Sequence, residues 1–290
     1  MTGNGNNPNV MISGTPVKRI RSTGPLLILA LLFVFAAFLT WYFTWFGREL
    51  SDADISQYLV DEKHPRHVQH ALLQIQQRIE RGDTLAKQWY PQLLTLAGNP
   101  ETEFRLTVAW LMGYDNKSEE FHQALLKLVR DSEPIVRRNA ALSLVRFNDA
   151  TGRGELVAIL EPYSVKATTD GAVASTLNEG SQIGRGALLG RITKNDGNLV
   201  EVRSPLPGTV EKIVTANRTQ VTTGAPILTL RSDEASLWEA LRGLALIGES
   251  ADLAAIEPYK RASTISDRIK QQATHTANSI QQRATSNQTR

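Results

Sequence analysis

The hydrophobic period changes twice along the chain, and each change calls for a different backbone. Between residues 68 and 128 apolar side chains return every three or four positions: Val68, Ala71, Leu72, Ile75 and Ile79, then Leu93, Leu94 and Leu96, then Leu106, Ala109, Trp110 and Met112, then Leu125, Leu126 and Leu128. Such spacing places one apolar stripe on an amphipathic helix. Breaks at Gly82-Asp83, Gly98-Asn99-Pro100, Tyr114-Asp115-Asn116 and Asp131-Ser132-Glu133-Pro134 hold each helix to about two to four turns. Short helices with tight links bury their stripes by stacking as successive hairpins. At Tyr163 the period drops to two, with Val, Ile, Thr and Leu alternating between glycine turns, as in a small unit of strands. Helical spacing returns at Asp233, where Leu237, Ala240, Leu241, Leu244, Ala245 and Ile247 form one stripe.

Two internal echoes organise this pattern. ELVAILEPY (155–163) reappears as DLAAIEPY (252–259), which predicts that a helix at 154–162 is the first of a pair whose second helix resumes at 234–247. The strand-forming stretch then lies in the turn of a helical hairpin, where an insertion disturbs no packed face. Phe121 to Phe147 resembles a HEAT repeat: a first helix, a turn holding Asp131 and Pro134, then Val136-Arg137 and the Ala140-Ala141-x-x-Leu144 face of a second helix. The expected fold class is α+β: an N-terminal transmembrane helix, an α-solenoid of HEAT-like hairpins and an inserted all-β domain. The divisions are HEAT-like helices at 51–162, the β domain at 163–232, returning helices at 233–262 and a polar basic tail at 263–290. From Lys260 to Arg290 six basic residues face one acid, Asp267, and Ala273 and Ala277 extend the Ile265–Ile269 stripe weakly, so the tail is expected to be disordered or weakly helical.

The second echo lies inside the β stretch. Gly171, Val173, Ile183, Gly186 and Leu188-Leu189 match Gly208, Val210, Val221, Gly224 and Ile227-Leu228, so two half-motifs predict a pseudo-symmetric sandwich. With Val202–Ile213 and the string Val221-x-x-Gly224-x-Pro226-Ile227-Leu228, the stretch resembles the biotinyl/lipoyl-like barrel-sandwich hybrid domain. Carriers of that family present a lysine eight residues before the proline that here is Pro205, and this chain has Gly197 there. Lys194 stands three residues away in an Asn195-Asp196-Gly197 turn, so no biotin or lipoyl cofactor is expected. The unmodified fold also resembles that of membrane fusion proteins, although only a short link joins Ile192 to Val200 where those adaptors carry a long helical hairpin.

Pro25 to Phe46 is a run of twenty-two uncharged, mostly apolar residues, long enough for the roughly 30 Å hydrocarbon core, with Lys18, Arg19 and Arg21 before it. It predicts a disordered cytoplasmic tail at 1–24, a single-pass inner-membrane helix at 25–46 and a periplasmic or extracytoplasmic body. No cysteine is present, which excludes disulfides, thiolate metal sites and a cysteine nucleophile. The net charge of +3 equals the contribution of Lys18, Arg19 and Arg21, so the remainder is neutral and lacks the basic face that nucleic acid requires.

His64, His67 and His70 fall three apart near Asp61 and Glu62, a pattern compatible with a metal site and equally with a solvated helix start. Glu101, Glu103, Asp115, Glu119 and Glu120 could supply paired carboxylates, but no nucleophile or phosphate loop accompanies them, and acidic turns are ordinary in HEAT-like arrays. His122 and His275 read as surface residues, and Gly152-Arg153-Gly154 and Gly184-Arg185-Gly186 as turns. The sequence therefore assigns no catalytic, cofactor-binding or metal residue. It points to a non-enzymatic envelope scaffold binding protein partners on its curved helical face, with a membrane-fusion-type adaptor of an export complex and a diverged biotin or lipoyl carrier as alternatives.

Overall fold

The computed structural model describes residues 24–45 and 49–288. The chain forms two compact units, Met1–Glu49 and Leu50–Arg290. In the first, helix α1 (Gly24–Trp45) has its described side chains, chiefly residues 26–40, almost all exposed. Among the described residues no helix is long and apolar enough to cross a membrane. The expected span at 25–46, and the inner-membrane and periplasmic placement built on it, are corrected accordingly. Lys18, Arg19, Arg21 and the rest of the expected tail before Gly24 lie outside the described residues.

The second unit begins with α2 (Asp52–Leu59), α3 (Pro65–Glu80), a 3-10 turn (Thr84–Trp89), α4 (Tyr90–Leu96), α5 (Thr102–Met112), α6 (Glu119–Leu128), α7 (Pro134–Arg146) and α8 (Arg153–Leu160). After the strands come α9 (Glu234–Ile247), a second 3-10 turn (Ser250–Asp252), α10 (Leu253–Arg261) and α11 (Asp267–Gln288). Local chemistry sets the boundaries. Side chains of Ser51, Ser118 and Asp233 accept hydrogen bonds from first-turn N–H groups of α2, α6 and α9, and Pro65 and Pro134 occupy first turns where a missing N–H is harmless.

The helices α3, α5, α7, α9 and α11 touch in succession, while α4 packs on α6 and α8 on α10. One apolar core runs through the array from Leu50 to Ile280. The helices α8 and α9 pack directly on each other, although the whole β stretch separates them in sequence. Gly243 allows this contact, since a Cβ there would lie 2.8 Å from Leu156 Cδ1.

The C-terminal stretch overturns the expectation of a loose tail. Helix α11 packs on α9 and α10 and buries Ile269, Ala273, Ala277 and Ile280. Alanines are sufficient because small side chains let helix axes approach, and polar bonds complete the seam. Thr276 Oγ1 donates to Leu241 O at 2.9 Å, and the Arg283 guanidinium donates to the carbonyls of Leu244, Ala245 and Gly248 at the end of α9.

Eight strands lie between α8 and α9: β1 (Tyr163–Lys166), β2 (Gly171–Ala174), β3 (Gln182–Ile183), β4 (Leu188–Thr193), β5 (Leu199–Arg203), β6 (Gly208–Ile213), β7 (Gln220–Val221) and β8 (Pro226–Ser232). They form two antiparallel four-stranded sheets, ordered β1-β8-β6-β3 and β5-β4-β2-β7, with open edges rather than a closed barrel. Exchanging β1 to β4 for β5 to β8 turns one order into the other, so the halves are related by a pseudo-two-fold. Val173, Ile192, Val210, Leu228 and Leu230 help fill a core of their own. Matching glycines serve both halves. A Cβ on Gly171 would strike the Thr193 carbonyl, and one on Gly208 would strike the Arg231 carbonyl.

Candidate protein-binding groove

Two ladders of side-chain bonds hold consecutive helical pairs in register. At one edge, Asn99 and Asp131, thirty-two residues apart, open equivalent turns: each carboxamide or carboxylate oxygen accepts the N–H two residues on, from Glu101 and Glu133, at 2.8 Å. Arg105 donates to the Asn99 and Pro100 carbonyls of its own turn at 2.9 Å and, through Nε and NH2, to Asp131 of the next turn at 2.7 and 3.0 Å. Arg137, thirty-two residues later, repeats this with the Asp131 and Ser132 carbonyls and with Glu155 at 2.9 Å. Burial pushes the Asp131 carboxyl up, but the bonds from Arg105 and the Glu133 N–H hold it below the usual range.

The opposite edge has its own series. Tyr90 donates to Asp115 Oδ2 at 2.8 Å, and thirty-two residues on, His122 Nε2 lies 2.7 Å from Asp149 Oδ2 with its ring stacked on Phe147. Burial, then the Asp115 bond, raises the Tyr90 hydroxyl well above its ordinary value. His122 is thus a joint between pairs and not the simple surface residue that its isolation in sequence suggested.

Fixed by these ladders, α4 and α6 flank a groove of about 650 Å³. Leu94, Ala97, Ala124 and Leu128 give it an apolar lining, Arg105 and Asp131 close one side as an ion pair, and Glu120 and Lys127 stand two turns apart on α6. The groove therefore offers an apolar strip bounded by opposite charges.

The sequence-flagged residues fall elsewhere or apart. Glu103 pairs with Arg185 of the β insert, Asp115 accepts from Tyr90, and Glu119 Oε2 is 3.7 Å from His122 Nδ1, so no carboxylate pair assembles among them. Glu101 is the N-cap residue of α5, and Glu120 faces the groove. Arg153 reaches Glu249 at 2.7 Å, which ties the start of α8 to the turn before α10. Lys194 sits in a tight turn in which its N–H donates to Asn198 O at 2.9 Å and Gly197 takes φ +84°. Of the histidines, His64 and His67 converge on Asp61, His70 contacts Gln74 at 3.0 Å, and His275 is exposed on α11; Glu62 accepts from Asn99. Arg105 and Asn99 escaped the sequence reading, although their thirty-two-residue offset from Arg137 and Asp131 was there to be found.

Residues 90–170 match the HEAT repeats family. That region holds both ladders and the groove. No curated protein matches the chain. Among solved structures, a single-chain, multi-domain long-chain acyl-CoA carboxylase is similar at 18% identity and a TM-score of 0.24, over 31% of this chain and 10% of its own. The chain thus spans a tenth of that protein's length.

Proposed function

We propose that the chain is a non-enzymatic scaffold that binds a protein partner in the groove between α4 and α6. The partner's docking segment is an amphipathic stretch with one or two apolar side chains flanked by a base, facing Glu120, and an acid, facing Lys127. The observation that carries this reading is a groove with an apolar floor and charged ends on rigidly braced helices inside the HEAT-matching region. Stacked helical repeats use such surfaces to hold extended partners. The β insert is read as a diverged barrel-sandwich hybrid of the biotinyl/lipoyl-like kind without a modified lysine; its two pseudo-symmetric sheets and the Gly197 turn support this.

Selection of displayed peptides on the full-length chain tests the proposal. Selected peptides should carry the base–apolar–acid pattern, and Ala124→Trp should weaken them tenfold or more. Lys127→Glu should do the same, with binding restored when the peptide's acid is changed to a base. Peptides without the pattern, or affinities untouched by both variants, would refute it.

A further inference from the structure

Asp61, His64 and His67 come together where the turn after α2 enters α3. The turn is braced by its own backbone: Asp61 N–H donates to Tyr58 O, His64 N–H to Asp61 O and His67 N–H to His64 O, at 3.2, 3.0 and 2.8 Å. Tyr58 stacks on the His67 ring at 4.3 Å with the planes 10° apart, which fixes that imidazole. Both histidines turn the same nitrogen, Nδ1, toward one carboxylate. His64 Nδ1 is 2.9 Å from each Asp61 oxygen, and His67 Nδ1 is 2.7 Å from Oδ2.

One donor atom from each residue fits within a 4.8 Å cluster. A tetrahedral zinc with Zn–N and Zn–O bonds of about 2.0–2.2 Å places neighbouring ligand atoms about 3.3–3.5 Å apart. Each imidazole nitrogen therefore needs to part from the Asp61 oxygens by roughly half an ångström to admit an ion between them. Side-chain exposures of 27% for Asp61, 64% for His64 and 41% for His67 leave room for that shift and for water as a fourth ligand. His70, one helical turn beyond His67, is held by Gln74 and stays outside the cluster.

We infer that Asp61, His64 and His67 form a binding site for a borderline divalent transition-metal ion, Zn²⁺ foremost. Two imidazole Nδ1 atoms and one carboxylate oxygen occupy three positions, and the fourth is open to solvent. Nitrogen and oxygen donors in this ratio suit zinc better than calcium or magnesium, which favour all-oxygen shells.

Calorimetric titration of the EDTA-treated full-length chain with zinc chloride, in a non-coordinating buffer, tests the site. One Zn²⁺ should bind per chain, and Asp61→Asn, His64→Ala and His67→Ala should each weaken it tenfold or more, while His70→Ala and His275→Ala leave it unchanged. Cobalt substitution should give visible absorption of a four-coordinate ion that His67→Ala abolishes, with circular dichroism confirming that each variant is folded. Failure of the parent chain to bind, or binding indifferent to Asp61 and His67, would show that the carboxylate only accepts hydrogen bonds from the two rings.

Discussion

Replacing Asp131 separates the two tasks that its carboxylate performs. One oxygen accepts the Glu133 N–H, and both accept from Arg105, whose side chain is 13% exposed against 10% for Asp131. Breaking a nearly buried pair by removing one partner costs about 3–5 kcal/mol. Here the guanidinium keeps the Asn99 and Pro100 carbonyls, so the lower end applies. Asp131→Asn retains the turn acceptor, as Asn99 does naturally one repeat earlier, and should cost about 2–3 kcal/mol. Asp131→Ala also loses the turn bond, worth about 1 kcal/mol, for a total of about 3–4 kcal/mol. Urea unfolding of the full-length chain followed by circular dichroism measures both, and a double-mutant cycle with Arg105→Met should return a coupling above about 1 kcal/mol. Additive single effects, or a loss below about 1 kcal/mol for Asp131→Ala, would refute the idea that this ladder bonds the repeats together.

Three further outcomes follow from the packing. Gly208→Ala drives a methyl group into the Arg231 carbonyl and should destabilise the β insert by about 1–3 kcal/mol, whereas Gly184→Ala meets open space and should change stability by less than about 0.5 kcal/mol; thermal melts compare the two. Arg283→Ala removes the side chain that closes the carbonyl end of α9 and should lower the urea midpoint by an amount equivalent to about 1–2 kcal/mol, with faster amide exchange in α11. Asp131 and Asp149 are both held below the ordinary carboxylate range, so their stabilising effect is present above about pH 4 and disappears as pH falls through their depressed values; Asp131→Asn and Asp149→Asn should flatten the acid limb of a stability–pH curve.

The stacked-helix character of 90–170 was legible because Asp131, Pro134 and Arg137 mark a turn whose chemistry is local. The echo of 155–163 in 252–259 reflects α8 and α10, two first helices packed on each other. Followed one step further, it called for a second helix after α10, which is α11. Hydrophobicity hid that helix, because Ala273 and Ala277 contribute closeness more than apolar area, and Thr276 and Arg283 find their partners on α9 only once the chain is folded. The groove was invisible for a similar reason, since its walls come from two helices that α5 separates in sequence. Spacing singled out three histidines together, but it could not show that Asp61 gathers two of them while Gln74 holds the third. At 25–46, composition spoke for a membrane span, but among the described residues no helix is long and apolar enough to cross a membrane.

Hydrogen exchange on the full-length chain, with and without a peptide selected for the base–apolar–acid pattern, tests the scaffold reading most directly. Protection should concentrate on residues 92–98 and 119–131, the backbone that lines the groove, and should vanish in Ala124→Trp. Protection confined to the β insert at 163–232, or unchanged by Ala124→Trp, would contradict it.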